Sequence, residues 1–125
     1  GLSRKDTLFV ESDLFSLNNK IQKTFNKQKI QASKISDFLN KIEFPAIICS
    51  DLNNNAFSIP YKKMSIKKKD AFVEAGNGFG HTYFFGFFPL RIDYIFVDKS
   101  LKVLSFSTFE ENLSDHKPIM AKIDF

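Results

Sequence analysis

The sequence predicts an α/β domain in which a sheet lies buried under helices. Residues 13–42 carry the apolar spacing of helices, residues 46–50 form a short apolar run, and the chain from residue 91 onwards contains several strand-like segments. Helix, strand, helix and then several strands is an order typical of α/β arrangements. The chain of 125 residues is long enough for one compact domain and too short for two ordinary ones.

The helical segment is predicted from apolar residues that recur every three or four positions. These residues are Leu14, Leu17, Ile21 and Phe25, followed by Ile35, Phe38, Leu39 and Ile42. The phase of the pattern slips between Phe25 and Ala32, which predicts two helices or one bent helix. Ser12 or Asp13 is expected to cap the start, because its side chain can accept a backbone N–H bond.

The segment "FPAIICS" is expected to be a buried strand, because it is apolar on both faces. The single cysteine, Cys49, lies within it and is interpreted as a buried structural thiol, and one cysteine excludes an internal disulfide. The residues "DLNNN" that follow are turn-formers. Residues 61–76 are predicted to form one or two short helices that end at Gly76. The segment "GNGFG" is predicted to be a turn in which glycine takes positive φ.

The C-terminal third is predicted to be mostly strands. The segments "RIDYIFVD" and "LKVLSFSTF" are expected to be strands joined by the turn "DKS", and "HKPIMAKIDF" is expected to contain the last strand.

Composition and charge fit a soluble globular domain and assign no partner. Residues 1–70 carry 13 Lys or Arg against 7 Asp or Glu, so the basic charge lies in the first part of the chain. That asymmetry permits attraction to a polyanion. The run "KKMSIKKK" is nevertheless more typical of a solvated face, and 16 of the 18 basic residues are Lys. No apolar run approaches the length that crosses a bilayer.

Polar residues stand at the ends of the apolar strands, where α/β sheets bind ligands. They are Asp51, Asn53, Asp93, Asp115 and His116. Each has an ordinary structural interpretation: Asp51 and Asn53 can form an Asx-turn, Asp93 can pair with Arg91 or with Lys residues, and His116 can be a loop histidine. A carboxylate inside an apolar strand is costly without a partner, and His116 is the natural partner for Asp93. Together these residues predict a site for metal-assisted attack of water on a phosphate ester.

Three segments, "ICSDLNN", "GHTYFFGFFPLRIDYIFVD" and "LSDHKPIMAKI", carry a family resemblance. They resemble, in order, the motifs of the C-terminal half of the endonuclease/exonuclease/phosphatase superfamily, over about residues 28–125. The resemblance implies that Asp51 activates the attacking water, Asn53 and His116 contact the phosphate, and Asp93 holds His116. It also implies that Asp115 helps to bind a metal, Mg²⁺ or Mn²⁺. Thr82 and Tyr83 are expected near the site, with Tyr83 at the substrate.

The resemblance implies one half of a four-layered α/β sandwich, with two mostly antiparallel sheets face to face and helices outside. Residues 1–125 would be a single partial domain without the N-terminal half, which in the family carries a Glu that is the main metal ligand. Ser50 stands where the family has Gly. Because the family's main metal ligand belongs to the N-terminal half, we expect weak or absent metal binding by this chain alone. We also expect an apolar face that pairs with the N-terminal half or with a second copy of the chain.

The function expected from the resemblance is hydrolysis of a phosphate ester by a metal-dependent phosphodiesterase, nuclease or phosphatase. The substrate would be a nucleic acid, an inositol phosphate or a phospholipid head group. The chain also resembles a bacterial branch in which the domain follows N-terminal membrane helices. The alternative is a non-catalytic folded module that binds its N-terminal half or another protein.

Overall fold

A computed structural model describes residues 4–125 of the chain, with side chains from residue 13 onwards. The elements, in order, are α1 (Arg4–Asn40), β1 (Ile47–Asp51), α2 (Ile59–Met64), β2 (Lys68–Asp70), α3 (Ala71–Ala75), β3 (Tyr83–Phe85), β4 (Phe88–Leu90), β5 (Asp93–Asp98), β6 (Lys102–Thr108) and β7 (Ile119–Asp124). All strand pairs are antiparallel. The predicted α/β class with antiparallel sheets is therefore confirmed. The chain divides into two compact units, Gly1–Gln31 and Ala32–Phe125, and the sheets belong to the second.

Of the two alternatives that the phase slip suggested, two helices or one bent helix, the structure excludes the first, because α1 is a single helix of 37 residues. Its start at Arg4 also corrects the expected cap, since Ser12 and Asp13 lie inside the helix. Residues 26–31 contain neither Gly nor Pro and are mostly Lys and Gln, which are good helix formers, so the change of apolar phase does not interrupt the backbone. None of the helices in the described part of the chain is long and apolar enough to cross a bilayer.

Strand β5 is the centre of the second unit, because it pairs with β1 on one side and β2 on the other. Its middle residues 94–97 are buried on both faces of the sheet. On one face, Ile95 and Val97 pack with Ala71, Leu101 and the apolar side chains of β6 and β7. On the other face, Tyr94 and Phe96 pack with Met64 and with partly buried residues of α1, β1 and α2. The strand therefore joins two hydrophobic cores.

Strand β1 is less buried than its apolar sequence predicts. Ile47 and Cys49 are exposed, and Cys49 is a free thiol, so the prediction of a buried strand with a buried cysteine is wrong for this face. The reason is that β1 is an edge strand, and the β6–β7 pair packs against the same face of β5 without covering these two residues. Only the opposite face, through Ile48, contributes to a core.

Strand β2 falls within the stretch that was expected to be helical. Lys68 belongs to the run interpreted as a solvated face, yet it is buried and forms an ion pair with Asp98 at 3.2 Å. Hydrogen bonds from the backbone and side chain of Ser100, with the Lys68 contact, lower the pKa of Asp98 to about 2. The expected short helices do form on either side of β2, as α2 and α3, and Gly76 caps the end of α3.

Asp70 and Arg91 form a buried ion pair beside β5, with Nη1 of Arg91 2.6 Å from Oδ2 of Asp70. The guanidinium lies over the rings of Phe72 and Tyr94, at 4.7 and 4.8 Å from their centroids. Asp70 also accepts bonds from the Tyr61 hydroxyl and from the backbone N–H of Phe72. Because every group has a partner, this charge pair is held in one geometry.

Two glycines fit around the ring of Phe72, and a third nearby glycine does not touch it. A Cβ at Gly76 or Gly80 would overlap that ring, whereas a Cβ at Gly78 would meet nothing within 4 Å. Gly78 and Gly80 both have positive φ, as predicted for this turn. The turn is therefore shaped by the close approach of Phe72, which in turn covers Arg91.

Gly80→Ala should destabilise the protein more than Gly78→Ala. Both changes place a Cβ at positive φ, at a cost of about 1–2 kcal/mol. Only Gly80→Ala also pushes on the Phe72 ring, which should add roughly 1–3 kcal/mol. Urea denaturation of both variants, compared with the unchanged protein, measures the difference. Equal losses of stability would show that the contact with Phe72 does not matter.

Candidate active site

The strand register brings two carboxylates together at one end of the sheet. Asp51 and Asp93 are the last pair in the β1–β5 ladder and lie directly opposite each other. Residues directly opposite each other in an antiparallel pair point to the same face with their Cβ atoms about 4.5–5.5 Å apart. Two like charges so placed favour a cation or a proton between or beside them.

His116 completes this group from a distant part of the sequence. Its Nδ1 lies 2.8 Å from Oδ2 of Asp93, and its Nε2 lies 4.0 Å from Oδ2 of Asp51. The predicted Asp93–His116 bond is therefore present in the structure. Because Nδ1–H donates to Asp93, Nε2 is the ring atom that faces Asp51. The distance to Asp51 is too long for a hydrogen bond, so the two groups can share a third partner.

The charge state of His116 follows from its neighbours. The hydrogen bond to Asp93 raises the pKa of His116 above its usual value. Burial, the next largest effect, lowers this pKa, and the charges of Asp93, Asp51 and Asp115 raise it further. The raised pKa extends the pH range in which the ring is charged and carries an N–H at Nε2 as well as at Nδ1.

The turn after β1 orients Asp51. The Oδ1 atom of Asp51 accepts the backbone N–H of Asn53 at 2.8 Å, which is the Asx-turn that was the ordinary interpretation of this pair. Asn53 has φ of +48°, an uncommon value for a residue other than glycine, and its side chain is exposed next to Asp51. The turn and the site are thus one structure, since the bond that forms the turn also fixes the carboxylate.

Thr82 is buried and ties the segments of the site together. Its Oγ1 accepts the backbone N–H groups of Ile92 and Asp93, at 3.2 and 3.3 Å. Its carbonyl accepts the backbone N–H of Lys117 at 2.7 Å. One side chain and its backbone therefore fix the start of β5 relative to the segment that carries His116. The sequence placed Thr82 near the site in a structural role, and the structure gives that role a specific form.

Three other residues named by the sequence take different places. The ring of Tyr83 lies 5.0 Å from the His116 ring, and the two residues form an isolated β-bridge, so Tyr83 is at the site. Asp115 is exposed, accepts a bond from the Ser114 hydroxyl, and is not part of the group around His116. Arg91 pairs with Asp70, so it is not the partner of Asp93, which bonds to His116.

The group formed by Asp51, Asp93 and His116 has the donor chemistry of a divalent-metal site. Each residue offers one ligand atom, and these atoms lie within 4.8 Å of one another. Carboxylate oxygens suit Mg²⁺ and Mn²⁺, whereas His116 can bind a metal only through an Nε2 without a proton, because its Nδ1–H bonds to Asp93. A surface pocket of about 320 Å³ opens beside Asp51 and Asp93. The two carboxylates therefore line a space that a phosphate group can enter.

Comparison with family sequences assigns the chain to a known group. Residues 25–116 match the Endonuclease/Exonuclease/phosphatase family. The chain belongs to this family. The match ends at His116 and spans every residue of the site, so the resemblance predicted from the motifs is confirmed. Comparison with curated proteins gave no match.

One solved structure has a similar fold. It is a mannosyl-6-phosphatase from Bacteroides thetaiotaomicron, with a TM-score of 0.58 and 20% sequence identity. The alignment covers 78% of this chain and 44% of that protein, so this family member spans less than half the length of the solved relative. The likeness shows that the two proteins share a fold.

The pKa of His116 should depend on Asp93. Nuclear magnetic resonance titration of the His116 ring, without divalent cations, should give a pKa above the ordinary 6.5 that Asp93→Asn lowers. Since folding raises this pKa, the stabilisation from the pair is complete below about pH 6.5 and is lost as the pH rises through the folded value. An unshifted His116 in that variant would contradict the assignment.

Proposed function

We propose that this chain carries the Asp51–Asp93–His116 side of the active site of a divalent-metal-dependent hydrolase of phosphate esters. The observation that carries the proposal is the bond between Asp93 and His116 beside Asp51, in a member of a family of nucleases and phosphatases. The reaction is an in-line displacement. A water oxygen forms a bond to phosphorus as the bond between phosphorus and the leaving alcohol oxygen breaks.

Each side chain has a part that its position supports. Asp51, fixed by the Asn53 N–H, accepts the proton of the attacking water. His116 points Nε2 toward Asp51 and donates its N–H to a phosphate oxygen, where negative charge increases in the transition state. Asp93 fixes the ring and favours its charged form. In this proposal the exposed Asn53 carboxamide and the Tyr83 ring, which lies next to the His116 ring, contact the substrate.

A divalent cation, Mg²⁺ or Mn²⁺, fits the residues that are present. Asp51 and Asp93 supply carboxylate oxygens, and Asp115 contributes directly or through water from its exposed position next to His116. The cation supplies neutralisation of the phosphate charge. The remaining work, which is to orient the water and to donate to the phosphate, belongs to the side chains described above.

The proposed substrate class is a phosphate ester. Residues other than Asp51, Asp93 and His116 determine which organic group the phosphate carries. Nucleic acid, inositol phosphate and phospholipid head groups share the phosphate that the site addresses. The solved relative is named for a phosphorylated sugar, mannosyl-6-phosphate, which is a phosphomonoester. A screen of phosphodiesters and phosphomonoesters with Mg²⁺ identifies the substrate.

The second candidate is a non-catalytic module, and the exposed face of β1 favours it. Ile47 and Cys49 are exposed beside the site, and the chain spans 44% of its solved relative. An apolar face of this kind fits the N-terminal half of the family domain or a second copy of the chain. A partner that covers this face is also compatible with catalysis. Hydrolysis of a phosphate ester by the protein that carries this chain would favour the hydrolase, and its absence would favour the non-catalytic module.

His116→Ala should lower kcat about 100-fold or more with little change in KM, measured in the protein that carries this chain. The reason is that the lost N–H acts mainly in the transition state. Asp93→Asn should lower the same parameter by less, because it leaves the ring in place but less well oriented. His81→Ala, which removes a histidine outside the group of three, should stay within a few-fold of the original kcat. Equal kcat values for the unchanged protein and His116→Ala would exclude the catalytic role.

Removal of divalent cations should abolish hydrolysis, and Mg²⁺ or Mn²⁺ should restore it. The 125-residue chain alone should bind Mg²⁺ weakly, because Mg²⁺ in proteins needs well-placed oxygen ligands and the family's main ligand lies in the other half. Calorimetry with Mg²⁺ measures this, with Asp115→Asn and Asp51→Asn as variants that separate the proposed ligands. Micromolar affinity of the chain alone would show that its own carboxylates suffice.

A further inference from the structure

The turn that carries Asp51 and Asn53 is bonded to Tyr94, whose side chain lies on the face of the sheet opposite to Asp51 and Asp93. Asn53 takes a positive φ, so the turn needs bonds that hold it in this conformation. One bond is the Asp51–Asn53 contact within the turn. A second runs from the backbone N–H of Leu52 to the carbonyl of Ile92, at 2.9 Å. The third comes from Tyr94.

The hydroxyl of Tyr94 lies 2.8 Å from the carbonyl oxygen of Asn54 and 2.7 Å from that of Arg91. Tyr94 is 1% exposed, and burial raises the pKa of its phenol, so the hydroxyl keeps its proton and donates. One buried O–H thus serves two carbonyls from segments that are distant in sequence. These are the turn after β1 and the residue just before the Ile92–Asp93 segment.

The position of this hydroxyl does not follow from core packing alone. Tyr94 packs with Phe96 at a centroid distance of 5.5 Å, and its cluster is otherwise built from apolar groups and the Tyr61 ring. A phenylalanine would fill the same volume. The tyrosine adds a hydroxyl at the end of the ring, and this hydroxyl donates a hydrogen bond to the backbone of the turn.

The second carbonyl that the Tyr94 hydroxyl contacts, that of Arg91, lies in a segment that other interactions hold in place. Arg91 is held by its ion pair with Asp70 and by the rings of Phe72 and Tyr94. Its carbonyl belongs to the segment that Thr82 fixes through Ile92 and Asp93. The hydroxyl of Tyr94 therefore connects the turn carrying Asp51 and Asn53 to the anchored segment carrying Asp93.

We propose that Tyr94 is a positioning residue, whose buried hydroxyl sets the turn that presents Asp51 and Asn53 to the substrate. The proposal rests on the proposed function for its effect on rate, while the contact itself is a property of the fold. Tyr94 touches neither substrate nor reacting atoms. It acts through the backbone of the turn.

The test is Tyr94→Phe with Tyr61→Phe as the matched control. Both changes remove one hydroxyl from the same aromatic cluster, where the two rings lie 5.2 Å apart, but the Tyr61 hydroxyl bonds to Asp70 and not to the turn. Tyr94→Phe should lower kcat about tenfold and change KM less than twofold, and Tyr61→Phe should leave both within twofold. In an Asn53→Ala background, Tyr94→Phe should cost clearly less than tenfold, since part of its effect passes through Asn53.

A second measurement needs no activity. Amide hydrogen exchange at Leu52 and Asn53 should become at least several-fold faster in Tyr94→Phe and stay unchanged in Tyr61→Phe, while exchange at Val97 in the middle of β5 stays unchanged in both. If the protein hydrolyses no phosphate ester with Mg²⁺ or Mn²⁺, the proposed function fails and the exchange data alone decide on Tyr94. Unchanged exchange at Leu52 and Asn53, or faster exchange throughout the unit including Val97, would overturn the positioning role.

Discussion

The register of β5 is the constraint on which both the cores and the site depend. Its side chains alternate between the core against β6 and β7 and the core against the helices, so its position is fixed by two packing interfaces at once. The same alternation places Asp93 opposite Asp51. A shift of one residue would exchange the faces, sending Tyr94 to the site and Asp93 into the helix-side core. The burial of apolar side chains on β5 therefore stabilises the register that places Asp93 opposite Asp51.

Elements that are distant in sequence meet at this strand because short polar bonds join them. Thr82 links the beginning of β5 to the backbone next to His116, and Tyr94 links it to the turn after β1. The site is thus built on strand ends whose backbone groups are satisfied, which favours precise placement over adaptability. The Asp70–Arg91 pair supports the same strand from the helix side. Its burial among aromatic rings makes it costly to disrupt on one side only.

The sequence predicted the fold class and the Asp93–His116 contact, but it did not predict several other contacts around them, and the reason is physical. A carboxylate within an apolar strand needs a partner, so the pairing of Asp93 with His116 could be predicted from the sequence alone. The Asp70–Arg91 pair and the bonds of Thr82 could not be predicted in this way. Asp70 follows a Lys-rich run and Thr82 stands in a polar loop, and neither setting indicates that the residue has a partner distant in sequence. Strand β2 was hidden for the same reason, since Lys68 is buried only because Asp98 lies across the sheet. Cys49 was assigned to a core because its neighbours are apolar, although burial depends on which face of β1 is covered.

The β3–β4 hairpin separates a fixed base from a free end. At its base, Thr82 bonds to Leu90 and Tyr83 bridges to His116, whereas Phe87 in the two-residue turn is fully exposed. Gly86 takes positive φ there and a Cβ would meet nothing nearby. Insertions or exchanges at this end would leave the contacts of Thr82 and Tyr83 at the base in place. The free end is therefore the part of the hairpin whose length and sequence are least constrained by the fold.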